Sequence, residues 1–146
     1  MKLRIKKLNE NAVIPTYGSP YSAGADLYAV LDRDKIEIPP HETVLVHTGL
    51  SFEIPEGYVG LVYARSGLAT KRGLAPANKV GVIDSDYRGE VMVSLHNHSN
   101  TLQEIDNGER VAQIVIAPFL KVDFEIADEL SDTVRGEGGF GSTGKK

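Results

Sequence analysis

The sequence predicts an all-β domain, a sandwich, jelly roll or barrel, with one short helix and a loose C-terminal arm. Three observations predict it. Apolar residues recur at every second position, turn-forming clusters interrupt them at short intervals, and helical punctuation occurs convincingly in a single place.

The elements follow in chain order. Leu3 and Ile5 in "LRIKKL" open the alternation, and "YGSP" supplies the first turn. After "IPPHE" come Val44 and Val46 in "TVLVH", then Leu50, Phe52 and Ile54 in "LSFEI", closed by the turn "IPEG". "RSGLATKRG" reads as a turn or two of helix, with Ser66 as N-cap and Gly73 as the glycine that ends it. Past the turn "DYRG", Val91, Val93 and Leu95 give another half-buried strand, and "DNGER" carries an Asn-Gly pair suited to a tight hairpin. "IADEL" is compatible with one more helical turn. The strand pattern ends near Ile126, which divides a β core at 1–126 from an arm at 127–146 within a single domain.

Composition narrows the function. The 146 residues suffice for one core, and a net charge of −4 argues against a broad basic surface for nucleic acid. There is no cysteine, hence no disulfide and no thiolate metal site, and the four histidines show no zinc spacing. The N-terminus lacks an apolar run of signal-peptide length and no window is apolar enough to span a bilayer, so a soluble cytoplasmic protein without a membrane role is expected.

Five segments hold more Gly, Ser, Asp and Arg than strands need. In "AGADLYA" Asp26 stands alone among small residues, as a turn carboxylate would. In "YARSGLA" Arg65, Ser66 and Gly67 precede a helix, an arrangement that serves either as an ordinary cap or as a phosphate cradle. "NKVGVIDSDYRGEV" carries Asp84 out of an apolar strand, with Asp86 expected on the same face. Asp84 is either a turn residue or a rigid, partly desolvated general base. Gln113 interrupts the apolar strand "ERVAQIVIAP", to satisfy a backbone group or a ligand oxygen. The tail "RGEGGFGSTG" has five glycines in ten residues, too many for regular structure, yet it carries Arg135, Phe140, Ser142 and Thr143. It is a frayed end or an anion nest with a stacking face.

Taken in order, "AGADLYA", "ARSGLA", "GVIDSDYRGEV", "ERVAQIVI" and "RGEGGFGSTG" resemble the five motifs of the trimeric deoxyuridine triphosphatase (dUTPase) family. The match covers nearly the whole chain, and five motifs in order are far more specific than any one of them. The resemblance implies a jelly-roll-like β protein, a homotrimer with active sites at its subunit interfaces and C-terminal arms that reach over neighbouring sites, and hydrolysis of dUTP to dUMP and pyrophosphate with Mg²⁺. It implies Asp84 as the base for the attacking water. Asn78, Gly81, Val82, Ile83 and backbone near Met92 would form the nucleoside pocket, with Tyr87 against the deoxyribose. Arg65, Ser66, Gly67, Gln113, Arg135 and the 141–144 segment, including Gly141, Ser142 and Thr143, would hold the phosphates. Phe140 would stack on uracil, and Asp26 would act on the metal through water. A dCTP deaminase-related enzyme and a non-catalytic trimeric β module are the alternatives.

Overall fold

A computed structural model describes residues 1–139. Among them are twelve strands and one helix: β1 (Arg4–Lys7), β2 (Thr16–Tyr17), β3 (Ala25–Tyr28), β4 (Lys35–Ile38), β5 (Thr43–His47), β6 (Leu50–Glu53), β7 (Tyr58–Tyr63), α1 (Ser66–Arg72), β8 (Leu74–Pro76), β9 (Gly81–Ile83), β10 (Met92–Asn97), β11 (Gln103–Asp106) and β12 (Arg110–Pro118). The expected all-β class with one short helix is what the chain forms.

All pairings are antiparallel. The largest sheet has the order β2-β3-β12-β7-β9, a second runs β5-β10-β8, and β1-β6 and β4-β11 form two-stranded ribbons. The alternation in the sequence explains which faces are covered. In β10, Val93, Leu95 and Asn97 are buried while Met92, Ser94 and His96 are less so. Leu27, Ile38, Val46, Leu50, Leu74, Leu95, Ile105 and Val111 meet in one core and are wholly inaccessible. Each such aliphatic side chain contributes about 1.5–3 kcal/mol by leaving water. Buried Asn97 is satisfied, donating to the Ile38 and Thr101 carbonyls at 2.9 and 2.8 Å.

Several boundaries differ from the expectation, each for a local reason. The helix N-cap is Arg65 rather than Ser66; Arg65 has extended dihedrals and makes no side-chain capping bond, since a guanidinium has no acceptor to offer the first N–H groups. Gly73 does end the helix, at φ 68°. Asn107 and Gly108 make a turn with Gly108 at φ 81°, but it joins strands of different sheets, β11 pairing with β4 and β12 with β3 and β7, so no hairpin forms. The last strand closes at Pro118, short of Ile126, and "IADEL" forms no helical turn.

One irregularity matters for the site. Arg110 pairs with Tyr28 and Ala112 with Leu27, leaving Val111 as the extra residue of a β-bulge. Without it, Arg110 and Gln113 would face opposite sides of β12. With it, both face the side of Asp26, whose direct partner across the ladder is Gln113.

Candidate active site

The sequence-predicted residues among those described gather into two cavities with no lining residue in common, and Arg135 belongs to neither. Phe140, Gly141, Ser142 and Thr143 lie outside the described residues.

The first cavity, of about 300 Å³, lies between β9 and β10 and is lined by Asn78, Gly81, Val82, Ile83, Asp84, Tyr87 and Met92, together with Leu45, Pro76, Glu90 and Ser94. Gly81 leaves little space for a side chain: an added Cβ would sit 3.2 Å from both Asn78 Nδ2 and Val62 Cβ, so its neighbours would have to give by a few tenths of an ångström. The Ser94 carbonyl accepts from Ala77 N–H at 2.7 Å, just past the end of β8. Strand alternation then turns the N–H and C=O of Met92 toward the same side, beyond the point where β8 stops. One backbone donor and one acceptor thus face the cavity edge, a fit for a planar heterocycle that offers the complementary pair.

Asp84 follows the last residue of β9, and its carbonyl accepts from Tyr87 N–H at 3.2 Å. Asp84 and Asp86 therefore flank and occupy a turn instead of sharing a strand face. Asp84 is exposed rather than partly desolvated, and it also borders a wider groove of about 870 Å³ that contains Asp86, Arg88, Lys2 and Lys121. Tyr87 donates its hydroxyl to the Glu90 carbonyl at 2.9 Å, which lays the ring over Gly89; a Cβ there would come 2.4 Å from the hydroxyl oxygen.

The second cavity, of about 470 Å³, is lined by Gly24, Asp26, Tyr63, Arg65, Ser66, Gly67, Arg110 and Gln113. Asp26 is 9% exposed and each oxygen has a guanidinium: Oδ1 accepts from Arg65 Nε at 2.7 Å and Oδ2 from Arg110 Nη1 at 3.2 Å. A carboxylate so far removed from water needs such partners. Two guanidiniums against one carboxylate leave the cavity net positive, which suits a polyanion. Gln113 donates to the Ala64 carbonyl at 2.9 Å, and Gly24 leaves its side chain the room it occupies, since a Cβ there would meet Gln113 Oε1 at 2.2 Å.

Arg110, Gly24 and Glu90 were not singled out by sequence reasoning. Arg110 stands three residues from Gln113, a spacing that strand alternation assigns to opposite faces, and only the bulge reverses that. Glu90 reads as an ordinary charged residue before a strand. Gly24 sits in "AGAD", where the small residue carried no signal about what lies against it.

Residues 10–144 match the family model for dUTPase. A deoxyuridine 5'-triphosphate nucleotidohydrolase of Nautilia profundicola is 53% identical over 145 residues, covering 99% of this chain and 100% of the relative. The chain belongs to the dUTPase family. Two phage dUTPases of known structure share its fold. That of Staphylococcus bacteriophage 80alpha with dUPNHPP superposes at a TM-score of 0.88 with 29% identity, covering 98% of both chains. That of phage phi11 of S. aureus, described with a structural Mg(II) ion, gives 0.80 with 25% identity, covering 90% of this chain and 100% of the other.

As a dUTPase, the chain is a nucleotide hydrolase with a jelly-roll-like β fold. Among the described residues no helix is long and apolar enough to cross a membrane, and no three His, Asp or Glu side chains cluster as a metal cage. That donor set would suit a Mg²⁺ that keeps most of its waters, for which Asp26 and Gln113 are among the oxygen-bearing side chains lining the second cavity.

Proposed function

We propose that the protein hydrolyses dUTP to dUMP and pyrophosphate by attack of an Asp84-activated water on the α-phosphate, at sites built from the first cavity of one subunit and the second cavity of a neighbour in a homotrimer. The observation that carries this is the division of labour between the cavities. One offers a heterocycle-sized slot beside an exposed carboxylate but no cation in contact with it; the other offers two guanidiniums and a helix start but no free base. A nucleoside triphosphate needs both. Leu45 and Val82 beside the first cavity and Tyr63 beside the second are exposed apolar side chains that assembly would cover.

In the nucleoside slot, Met92 N–H and C=O pair with the uracil edge and Asn78 completes the contact. Cytosine, with an amine where an acceptor is needed, would leave the strand N–H unpaired, the kind of mismatch that costs most in a dry site. Gly81, Val82 and Ile83 floor the slot, and Tyr87 packs on the deoxyribose. Asp84 accepts a proton from the water as its oxygen bonds to the α-phosphorus and the pyrophosphate oxygen leaves. Its exposure in the lone chain means that desolvation must come from the neighbouring subunit and the nucleotide.

Arg65, Ser66, Gly67 and Gln113 receive the phosphates. Arg65 uses only its Nε on Asp26 Oδ1, which leaves its Nη groups for phosphate oxygens, and Arg110 on Oδ2 helps hold the carboxylate in place. When bound, Mg²⁺ supplies charge neutralisation to the phosphate oxygens, with Asp26 reaching it through water. The 80alpha dUTPase takes dUPNHPP, which supports the nucleotide part of the reading, and the phi11 dUTPase coordinates a structural Mg(II) ion, which supports only that a relative holds this metal. Arg135, whose Nε donates locally to the Gly138 carbonyl at 2.7 Å, would turn with the 141–144 segment onto the phosphates while Phe140 covers the uracil. The arm pays about 1–2 kcal/mol per ordered residue, so closure should require the full triphosphate. A cytoplasmic place of work and supply of dUMP for thymidylate synthesis complete the proposal.

The test is pyrophosphate release from dUTP, dCTP, dTTP and UTP with Mg²⁺. Strong release from dUTP alone is expected. Ammonia from dCTP with dUTP untouched would replace the reading with a deaminase, and no turnover of any nucleotide would leave a non-catalytic module.

A further inference from the structure

The nucleoside slot is fastened from behind by a corner of the chain that touches no substrate position. Where β5 passes into β6, residues 47–51 grip residues 88–91 through five hydrogen bonds. Ser51 Oγ donates to the Arg88 carbonyl at 2.7 Å, Gly49 N–H to Glu90 Oε1 at 2.7 Å and Thr48 Oγ1 to the Val91 carbonyl at 2.5 Å. His47 Nδ1 donates to Glu90 Oε2 at 2.9 Å, and Val91 N–H bonds the Leu50 carbonyl at 2.8 Å.

Glu90 is the hub. Both of its carboxylate oxygens hold the corner, its side chain is 21% exposed, and its own carbonyl takes the Tyr87 hydroxyl. The corner itself is closely packed and fits only glycine at its apex. Gly49 has φ 66°, and a Cβ there would come 2.9 Å from Ala12 Cβ and Asn9 Cβ. The reference point for Tyr87 is therefore a turn packed against Ala12 and Asn9, transmitted through one glutamate.

We propose that Glu90 is a positioning residue for sugar selection: by pinning the 88–91 segment to Gly49 and His47, it fixes the Tyr87 ring across the deoxyribose so that a 2′-hydroxyl finds no room. This rests on the proposed dUTPase reading of the slot. Without the carboxylate, residues 88–91 keep their backbone and Ser51 and Thr48 bonds but lose the two that set the lateral position of the Glu90 carbonyl. The ring then gains play, and the slot admits a ribose it formerly rejected. Glutamine keeps an oxygen for Gly49 N–H, so Glu90→Gln should retain most of the selectivity.

The experiment compares kcat and KM for dUTP and UTP in the full-length wild type, Glu90→Ala, Glu90→Gln and Glu90→Asp. Glu90→Ala should lower the ratio of kcat/KM for dUTP over UTP by about tenfold, mainly through KM, as expected when a contact that shapes the pocket is lost. Glu90→Gln should stay within about threefold of wild type, because one of the two bonds survives. If Glu90→Ala does not fold, Glu90→Asp carries the test, since one methylene less cannot span both Gly49 and His47. An unchanged ratio in the alanine or aspartate variant, or an equal loss for both nucleotides, overturns the inference while the dUTPase reading stands. A wild type inert toward dUTP overturns that reading, and this inference with it.

Discussion

Gly24→Ala isolates the fit between β3 and Gln113. The new Cβ would lie 2.2 Å from Gln113 Oε1, 2.9 Å from its Cδ and 3.2 Å from its Cβ. The amide end can swing away, but the Cβ contact forces β12 itself to give by a few tenths of an ångström. Swinging the amide breaks its 2.9 Å bond to the Ala64 carbonyl, the group just before Arg65. Overpacking costs about 1–3 kcal/mol and a partly buried acceptor left alone about 1 kcal/mol, against which the stiffer unfolded chain returns about 0.4–1 kcal/mol. The net is a loss of about 1–3 kcal/mol, with a raised KM for dUTP because Gln113 lines the anion cavity. Urea unfolding at fixed protein concentration reads the first and initial rates the second. In a Gln113→Ala background most of the steric cost should vanish, so the double-mutant cycle should show strong coupling. Additive effects, or a single variant as stable and as active as wild type, would refute the reasoning.

Three further outcomes are expected. Asp84→Asn should fold normally, because Asp84 is exposed, and bind nucleotide while turnover falls by about a hundredfold or more; calorimetry with dUPNHPP beside rate measurements checks both. Removing residues 135–146 should leave the β core intact, since the last strand ends at Pro118, and abolish most dUTP turnover; circular dichroism and a rate assay decide. His98 should titrate below the ordinary histidine value of 6.5, held down first by desolvation and then by His96, Lys79 and His41. A depressed value favours the protonated unfolded chain, so as pH falls below 6.5 the wild type should lose stability that His98→Gln keeps. Proton NMR titration of the ring and unfolding at several pH values test this.

Much of the architecture was legible because strands with one covered face write their burial as a two-residue period, as Val93 and Leu95 do in β10. Gly73 announced the helix end for an equally local reason, the left-handed backbone it adopts. What escaped depended on nonlocal pairing. The Asn-Gly turn was visible, but which sheets its strands joined was not, since turn chemistry does not specify distant partners. The pairing of Arg65 with Asp26, 39 residues away, was likewise out of reach of local pattern. Arg110 was hidden by a bulge that no composition marks, and Glu90 by partners far back in the sequence, at the end of β5 and in the turn before β6. The motif order made the site residues recognisable as a set, and the family resemblance implied sites at subunit interfaces. It carried no sign of which residues would line which cavity.

That division is what most needs testing, and mixed assemblies test it directly. Asp84→Asn spoils the nucleoside cavity and Arg65→Gln the anion cavity, and each chain alone should be nearly inactive. After denaturation and refolding of the two in equal amounts, random assembly would join an intact nucleoside cavity to an intact anion cavity at about one interface in four, so about a quarter of wild-type activity should return. A mixture no more active than the average of its two parents would show that each chain works alone, and would contradict the account.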